Sequence, residues 1–317
     1  ELTWEAAPMP AKLTADKLRA VAKSFQAHTS AWDGWHPRLF GKLSTSDAVW
    51  RAQVLSTVQG EDSLHSAEVL WDIRKCYENV LHSKLKTQAA AQKYPMPILR
   101  VSLSSYRWGR SILFEHDMLA KPIYPKAGLV AGSSMATYEI AVLMQKVLSD
   151  LAPVHNMGIS IHIDDLSVSL ARPTVTGLVQ DVGLAAAAVR HALEDELSLP
   201  IAESKSQVLG SSQQVDDELQ EAYGKTLGAR ATTARRLGID HSLRKVKHNP
   251  VFRKRWKLFL IRKKLIQKLG RAGKLAKTRV YTGGLLPSIL YGAECNTPPL
   301  KMLTKCRNDL VKIHGLQ

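Results

Sequence analysis

The sequence predicts an α+β fold, in which an antiparallel sheet backed by helices is followed by a basic helical region. The first observation is the strict alternation of apolar and polar residues on either side of Asp164-Asp165, which is typical of a β-hairpin. The second is a series of segments with helical spacing of apolar residues. The third is the charge: 44 Lys+Arg against 28 Asp+Glu give the 317 residues a net charge of +16, concentrated late in the chain.

The elements follow from local patterns in chain order. Helical spacing predicts helices over residues 15–27, 44–58, 76–91, 132–151 and 175–197. Extended segments are predicted at 67–71, 95–103, 111–114 and 207–209, with the hairpin at 159–163 and 166–170. The polar segment 211–218 is predicted to be a loop.

The positive charge is concentrated in residues 225–282. This segment contains 19 basic residues and a single acid, Asp240, whereas residues 1–224 contain 21 basic and 25 acidic residues. Apolar residues between positions 252 and 269 have helical spacing, which predicts a cationic amphipathic helix. Such a helix can lie on a membrane, bind an acidic partner or follow a phosphate backbone, and a merely solvated face is the remaining alternative. The near absence of acids favours nucleic acid.

Composition excludes several classes of protein. With 45% hydrophobic residues the chain can bury a core, so it is not disordered. Cys76, Cys295 and Cys306 are too few and too far apart for a disulfide framework or a zinc site, which indicates a reducing, intracellular compartment. The apolar stretches fall short of the roughly 18 to 20 residues of a membrane-spanning helix, so no membrane partner is expected. A chain that begins with Glu1 instead of Met is expected to be a fragment.

Acidic residues lie at the ends of predicted strands. Asp72 follows the strand 67–71, and Asp164 and Asp165 lie in the hairpin turn. Asp72 can simply cap the next helix, and paired Asp residues are common in solvated turns. On neighbouring strands, however, these carboxylates would come together, and they repel one another unless a cation neutralises them. Carboxylates so arranged can hold two Mg²⁺ ions for in-line phosphoryl transfer, which beside a cationic segment indicates nucleotidyl transfer on a nucleic acid.

The order of these motifs resembles that in the palm and thumb of a reverse transcriptase, and most of all the enzymes of LINE-type non-LTR retrotransposons. The segment DIRKCYE, which begins at Asp72, resembles the family's motif A, whose first residue binds both metals. HIDD resembles motif C, which implies Asp164 as the main metal ligand and Asp165 as its neighbour. The resemblance places Tyr77 against the 2′ position of the incoming nucleotide, where it would favour dNTPs.

Other segments resemble further parts of the family. GLVAGSS resembles motif B, which implies that Gly132 and Ser133 lie beside the template and the nascent pair. SKS resembles motif D, whose lysine, here Lys205, would assist the leaving pyrophosphate; an ordinary surface lysine is the alternative. RLGI, which contains Leu237 and Gly238, resembles the primer grip.

The basic helix falls where the family's thumb holds the duplex. The resemblance therefore implies nucleic-acid contacts by Arg253, Lys254, Arg255, Lys257, Arg262, Lys263 and Lys264. It divides the chain into a remnant of the N-terminal and fingers region at 1–43, a palm with a ferredoxin-like core at 44–240 and a thumb at 241–317.

The chain also departs from the family. Most of the fingers segment is missing, and the basic pair that grips the triphosphate has no counterpart. Motif B has Val130-Ala131 where the family favours Pro-Gln, and motif C has His162 where an aromatic residue is usual. His162 is alternatively a packed strand residue.

The resemblance implies an RNA-directed DNA polymerase that uses two Mg²⁺ ions, with Mn²⁺ as a substitute. Its partners would be an RNA template, a DNA primer and dNTPs, and its location intracellular and nuclear. The missing fingers leave a second hypothesis, a catalytically degenerate retrotransposon remnant that binds nucleic acid without polymerising. A palm-type cyclase is a third.

Overall fold

Two compact units make up the described part of the chain. The computed structural model describes residues 45–111, 121–130, 132–162, 164–244, 249–268, 273–296 and 298–314. The first unit is formed by described residues from Ser63 to Arg230. The second is formed by those from Gly41 to Asp62 and from Ala231 to Gln317. The division into fingers remnant, palm and thumb stays a prediction, and the predicted helix 15–27 lies outside the described residues.

The first unit contains a five-stranded sheet. Its strands are β1 (His65–Asp72), β2 (Gly158–His162), β3 (Asp165–Arg172), β4 (Gln207–Gly210) and β5 (Ala229–Arg230). They are arranged in the order β2-β3-β1-β4-β5, and all pairs are antiparallel except β4 with β5. The predicted strand before Asp72, the hairpin β2–β3 and the strand at 207–209 are confirmed, and with them the α+β class.

Helices account for most of the remaining described residues. In chain order they are α1 (Thr45–Glu61), α2 (Cys76–Asn79), α3 (His82–Ala91), α4 (Met96–Tyr106), α5 (Ala136–Val154), α6 (Val175–His191), α7 (Gln213–Tyr223), α8 (Pro250–Lys268), α9 (Lys274–Val280), α10 (Leu286–Leu290) and α11 (Leu300–His314). π-Helical turns at Ala192–Glu196 and Tyr281–Leu285 follow α6 and α9. In the described part of the chain, no helix is both long enough and apolar enough to span a membrane.

Alternation along the strands builds the core of the first unit. Every second side chain of β1 and β3 is apolar and buried: Ala67, Val69 and Trp71 lie opposite Leu170, Val168 and Leu166. Helix α6 packs on both strands with buried residues at helical spacing, among them Leu178, Val182, Ala185 and Val189. The polar alternate of the last pair, Asp72 with Asp165, therefore projects from the opposite face.

The second unit is built on a short hairpin and a group of helices. Strands β6 (Ala234–Arg236) and β7 (Ile239–His241) are joined by a two-residue turn, and α1 packs on β7. Helices α8 to α11 surround a core that includes Phe259, Tyr281, Ile289, Met302 and Cys306. The predicted cationic helix is confirmed as α8.

Two predicted elements are wrong. Residues 95–103 are not extended, because α4 spans Met96–Tyr106. Prolines at its start cost no hydrogen bond, and Leu99, Ser102 and Tyr106 form its buried face. The predicted loop at 211–218 lies largely in α7, because the Ser212 hydroxyl accepts a hydrogen bond from the Val215 amide (3.2 Å) and caps the helix.

Two predicted helices differ in their bounds. The helix predicted over 76–91 is divided into α2 and α3, because the carbonyl of Val80 accepts the amide of Gly128 (2.8 Å) and its backbone is extended. The helix predicted to open at Gly132 begins at Ala136, after a turn in which the Ser133 amide donates to Val130 O (3.0 Å).

Candidate active site

The ends of three adjacent strands bring polar residues into one row. Asp72 is the last residue of β1 and lies opposite Asp165, the first residue of β3. Asp165 in turn lies opposite His162, the last residue of β2. Directly opposed residues of an antiparallel pair project to the same face. These three side chains therefore lie on one face of the sheet, where the three strands begin or end. Asp164 lies beside them in the hairpin turn.

The carboxylates of this row are accessible and act on a common neighbour. Asp164 and Asp165 are exposed, and the Asp72 side chain is 36% exposed. The pKa of the buried Cys76 thiol is raised to about 12, mainly by burial and then by the negative charges of Asp164, Glu78 and Asp72. Asp72 and Asp164 therefore lie within electrostatic reach of the same sulfur atom.

Lys205 contacts the acidic row. Its ammonium lies 3.3 Å from Oδ1 of Asp72, although the two residues are 133 positions apart. The contact is set by the backbone, since the amide of Ala202 donates to Asp72 O and the amide of Arg74 donates to Pro200 O, both at 2.8 Å. Segment 200–205 is thus tied to the end of β1, which places the lysine at the carboxylates.

Gly228 packs closely against the segment that contains Lys205. Gly228 has a φ of +109°, and a Cβ at this position would lie 2.5 Å from the carbonyl of Ser206. Its amide neighbour, Ala229, donates to Ser206 O (2.8 Å). Only glycine allows this approach, so the turn that carries Lys205 has a defined position.

The glycine loop that resembles motif B docks on the segment that contains Tyr77. The amide of Leu129 donates to Tyr77 O (2.7 Å). Gly128 has a φ of +90°, and a Cβ there would lie 3.0 Å from Glu78 O, so glycine suits this position for both reasons. The Nε of Arg107 donates to Nδ1 of His82 (3.2 Å), so Nε2 of this buried histidine carries the proton and donates to Gly128 O (2.7 Å).

Beyond the loop, Gly132 and Ser133 have different surroundings. Gly132 is exposed with a φ of +91°, and a Cβ there would meet nothing within 4 Å, so the space beside it is open. The Ser133 hydroxyl lies 3.0 Å from that of Tyr106. This part of the loop is therefore anchored on one side and accessible on the other.

A buried carboxylate that the sequence motifs do not indicate holds that anchor. Glu139 is fully buried on α5 and accepts hydrogen bonds from the hydroxyls of Tyr106 (2.8 Å) and Ser102. Burial raises the pKa of Tyr106 to about 12, so the phenol stays protonated and can donate. The available signal was an acid within an otherwise apolar helix face, next to Ile140.

The acidic row provides suitable donors for a hard divalent cation. Carboxylate oxygens are the ligands that Mg²⁺ takes, and neighbouring like charges favour a bound cation. Within the described residues, however, no group of three or more His, Cys, Asp and Glu side chains is positioned to hold a metal ion. The donor type fits, and the Lys205 ammonium is the cation that Asp72 contacts.

In the second unit, the turn that resembles the primer grip is clamped by two side chains. Leu237 and Gly238 have φ values of 48° and 80°, as a two-residue hairpin turn requires. The Arg255 guanidinium donates to Gly238 O and to Tyr291 O (2.7 Å) and lies 4.8 Å from the centroid of the Tyr291 ring. The Tyr291 hydroxyl donates to Leu237 O (3.0 Å), and burial lowers the pKa of Arg255.

The basic residues of α8 fall into two groups. Arg255 is engaged as described, and Lys263 forms an ion pair with the buried Asp309 (2.5 Å). The other residues implicated in nucleic-acid contacts are exposed: Arg253, Lys254, Lys257, Arg262 and Lys264. The two inward residues therefore stabilise the unit, and the exposed five form its cationic face.

The single acid of the basic segment caps this helix. Both carboxylate oxygens of Asp240 accept backbone amides at the start of α8, from Val251 and Phe252, each at 2.9 Å. A carboxylate is favourable there because the first amides of a helix lack intrahelical acceptors and carry partial positive charge. Asp240 thus links the hairpin β6–β7 to the cationic helix.

Comparison with known proteins gives only distant likenesses. No family model matches the chain, and no curated protein matches it. Solved structures that are similar include telomerase from Candida tropicalis in complex with a fragment of telomeric RNA, with 10% identity, a TM-score of 0.46, and coverage of 94% of this chain and 50% of that one.

Two other telomerase structures are similar to the same degree. Apo telomerase from Candida tropicalis has 9% identity and a TM-score of 0.47, with coverage of 85% and 49%. Telomerase from Candida albicans with telomeric RNA has 12% identity and a TM-score of 0.44, with coverage of 85% and 47%. The chain spans half or less of these proteins. Likeness at this level identifies no family, so function is inferred from the site residues.

Proposed function

We propose that the chain is an RNA-directed DNA polymerase whose carboxylates at the ends of β1 and β3 serve two-metal nucleotidyl transfer. The observation that supports this most is the cross-strand pairing of Asp72 with Asp165, with Lys205 at Asp72. Asp72 and Asp164, with Asp165 beside them, would hold two Mg²⁺ ions, for which Mn²⁺ would substitute. Such ions lower the pKa of a primer 3′-hydroxyl and stabilise charge on the transferring phosphoryl group.

The neighbouring residues then have defined tasks. Lys205 would release Asp72 and neutralise or protonate the leaving pyrophosphate, since its exposed ammonium is already at the site. Tyr77, whose backbone is tied to Leu129, would stand against the 2′ position and select dNTPs. The open space at Gly132 would admit the template and nascent pair, with Ser133 held by Tyr106 beside it.

The second unit would hold the RNA template and DNA primer. We assign the phosphate contacts to the exposed face of α8, that is to Arg253, Lys254, Lys257, Arg262 and Lys264, and the primer contact to the clamped Leu237-Gly238 turn. Arg255 and Lys263 would act indirectly, by holding that turn and the helix. Binding through phosphates would weaken steeply with salt.

The order of motifs along the sequence further suggests an enzyme of a LINE-type non-LTR retrotransposon, working inside the cell, in the nucleus. A second candidate is a retrotransposon remnant that binds nucleic acid without polymerising. It is favoured by one observation, that within the described residues the acidic row does not form a group of three side chains positioned for a metal ion.

Primer extension with the purified chain separates the two candidates. With an RNA template, a DNA primer, dNTPs and Mg²⁺, we expect extension that Asp164→Asn lowers by about 100-fold or more, because a metal ligand supplies several kcal/mol of transition-state stabilisation. Asp217→Asn is the matched control, because Asp217 is an exposed acid on α7 that forms an ion pair with Arg230 (2.7 Å).

The outcomes are distinct. Extension that survives Asp164→Asn would overturn the metal assignment. Absence of extension by the unmodified chain, together with salt-sensitive binding of a primer–template duplex, would establish the remnant instead.

A further inference from the structure

The first unit carries a second unusual surface, away from the acidic row in sequence. Trp108 and Tyr124 are 70% and 67% exposed, the two most exposed aromatic side chains among the described residues. Large aromatic rings left in water mark binding surfaces more often than other exposed side chains do. We name these two residues the aromatic platform.

Backbone pairing brings the two segments that carry these aromatic residues together. Arg110 and Ile123 exchange two backbone hydrogen bonds, each of 2.9 Å, so the chain after α4 and the chain before Gly128 run side by side. The Tyr124 ring lies over Gly109, where a Cβ would come within 2.9 Å of it. Trp108 precedes Gly109 in the chain, so both aromatic residues lie at this backbone pairing, and a side chain at position 109 would displace the Tyr124 ring.

The platform is surrounded by positive charge. Residues 92–130 contain six basic and two acidic residues, whereas the rest of 63–230 contains ten basic and sixteen acidic residues. All six basic side chains are exposed: Lys93, Arg100, Arg107, Arg110, Lys121 and Lys126. The segment is therefore a cationic island in an acidic unit.

Two of these cations, close to Trp108 in the chain, are anchored by hydrogen bonds. The guanidinium of Arg110 donates to Tyr106 O (3.3 Å), and that of Arg107 donates to the buried His82. Both residues lie within two positions of Trp108 in the chain. Less conformational entropy is lost when such anchored cations meet an anion.

We propose that the aromatic platform and its flanking cations bind single-stranded nucleic acid, with bases stacked on Trp108 and Tyr124 and phosphates paired with the basic side chains. Every base has a flat face that can stack on an aromatic ring. The phosphates of the nucleic acid carry the negative charge that would pair with the basic side chains of the segment. A duplex would not expose its base faces, so the site is suited to an unpaired strand.

A protein partner is the less favoured occupant. Binding of an apolar protein surface would remove water from the surrounding cations, which costs free energy. Burial of only two aromatic rings would have to offset that cost. The proposal stands apart from the polymerase reaction, because neither the acidic row nor a metal ion takes part in it.

The test is binding of a dye-labelled 12-nucleotide single strand of uridine or thymidine, followed by fluorescence anisotropy in EDTA. We expect the Trp108→Ala/Tyr124→Ala variant to bind about 10-fold or more weakly. Trp108→Phe should retain most of the affinity, and a strand of abasic sites should bind the unmodified chain as weakly as the double variant binds uridine. Chelation of metal keeps this result independent of polymerase activity.

Matched controls make the result specific. Tyr138→Ala removes another exposed aromatic ring of the first unit, and Lys225→Ala removes an exposed cation outside the island; each should change the affinity by less than twofold. Equal affinity of the double variant and the unmodified chain would overturn the proposal. So would loss of binding only in Arg253→Ala/Lys254→Ala/Lys257→Ala, or a dimer in sedimentation that Trp108→Ala abolishes without any change in strand binding.

Discussion

The acidic row of the first unit and two acids of the second unit lie in opposite environments. In the first unit, Asp164 and Asp165 are exposed at the ends of strands and face like charge. In the second, Asp240 and Asp309 are 4% and 6% exposed, and each has a defined partner. An acid that is buried with its partner contributes to the fold, whereas an acid that is exposed beside other acids contributes little to it.

Asp240 and Asp309 stabilise the second unit because each one pairs with a partner inside it. Asp309 neutralises Lys263 inside the helical group, and Asp240 accepts two amides that the helix cannot pair by itself. By contrast, Asp72 and Asp165 lie directly opposite one another, where like charges are destabilising, and the Lys205 ammonium 3.3 Å from Asp72 offsets part of that repulsion. We therefore expect the exposed carboxylate row to contribute less to stability than these two buried acids do.

The largest expected effect comes from leaving a buried acid without its partner. Lys263→Met should lower the free energy of unfolding by about 3 to 5 kcal/mol, because Asp309 remains buried and uncompensated. Urea unfolding followed by circular dichroism measures this. Lys264→Met, at an exposed neighbour, should change it by no more than about 0.5 kcal/mol.

The double variant Lys263→Met/Asp309→Leu tests the reason. It should recover most of the lost stability, since two apolar side chains replace the pair without an unpaired charge. If the double variant were as unstable as the single one, packing rather than charge would explain the effect.

The next largest effect concerns the helix cap. Asp240→Ala should cost about 2 kcal/mol, because two amides at the start of α8 lose their acceptors. Amide hydrogen exchange should increase first at Val251 and Phe252. Glu294→Ala, an exposed acid of the same unit, is the control, and equal losses in both variants would show that the cap contributes nothing specific.

The fold was predictable where side-chain period and environment agree. Strand alternation in β2 and β3 follows the pleat, so the hairpin and its acidic turn could be identified from the sequence. Helix α4 could not be, because its buried face includes the polar Ser102 while Ile98 and Val101 remain exposed. In this helix, apolar residues are exposed and a polar one is buried. The pattern of apolar residues along the sequence therefore does not show the helical period.

The positions of Asp72, Asp164 and Asp165 at strand ends were predictable from the sequence, but their pairings were not. Which acid opposes Asp72 depends on strand register, and the structure makes it Asp165 and not Asp164. The difference between Arg255 and its exposed neighbour Lys254 is equally invisible, because it depends on which side of α8 meets the hairpin. Tertiary contacts decide both, and local patterns do not contain them.

A buried acid in the first unit refines the comparison. Within the part of the chain that the structure describes, Glu139 has two hydroxyl partners and no ion pair. Glu139→Gln keeps the shape and one acceptor and should therefore cost about 1 kcal/mol. Glu139→Leu removes both acceptors and should cost more. Thermal unfolding of the two variants provides the measurement. If both variants were as stable as the unmodified chain, a buried acid would not by that fact contribute to the stability of the fold.

The smallest expected effect is at the acidic row itself. Asp164→Asn should leave the free energy of unfolding unchanged or raise it by up to about 0.5 kcal/mol, because it removes negative charge beside Asp72 and Asp165 at an exposed turn where Asn is equally suitable. The same variant should abolish primer extension. A change with no cost to the fold and a large cost to activity identifies a residue that is retained for its ligand. If the free energy of unfolding fell by more than about 1 kcal/mol, Asp164 would contribute to the stability of the fold, as Asp240 and Asp309 do.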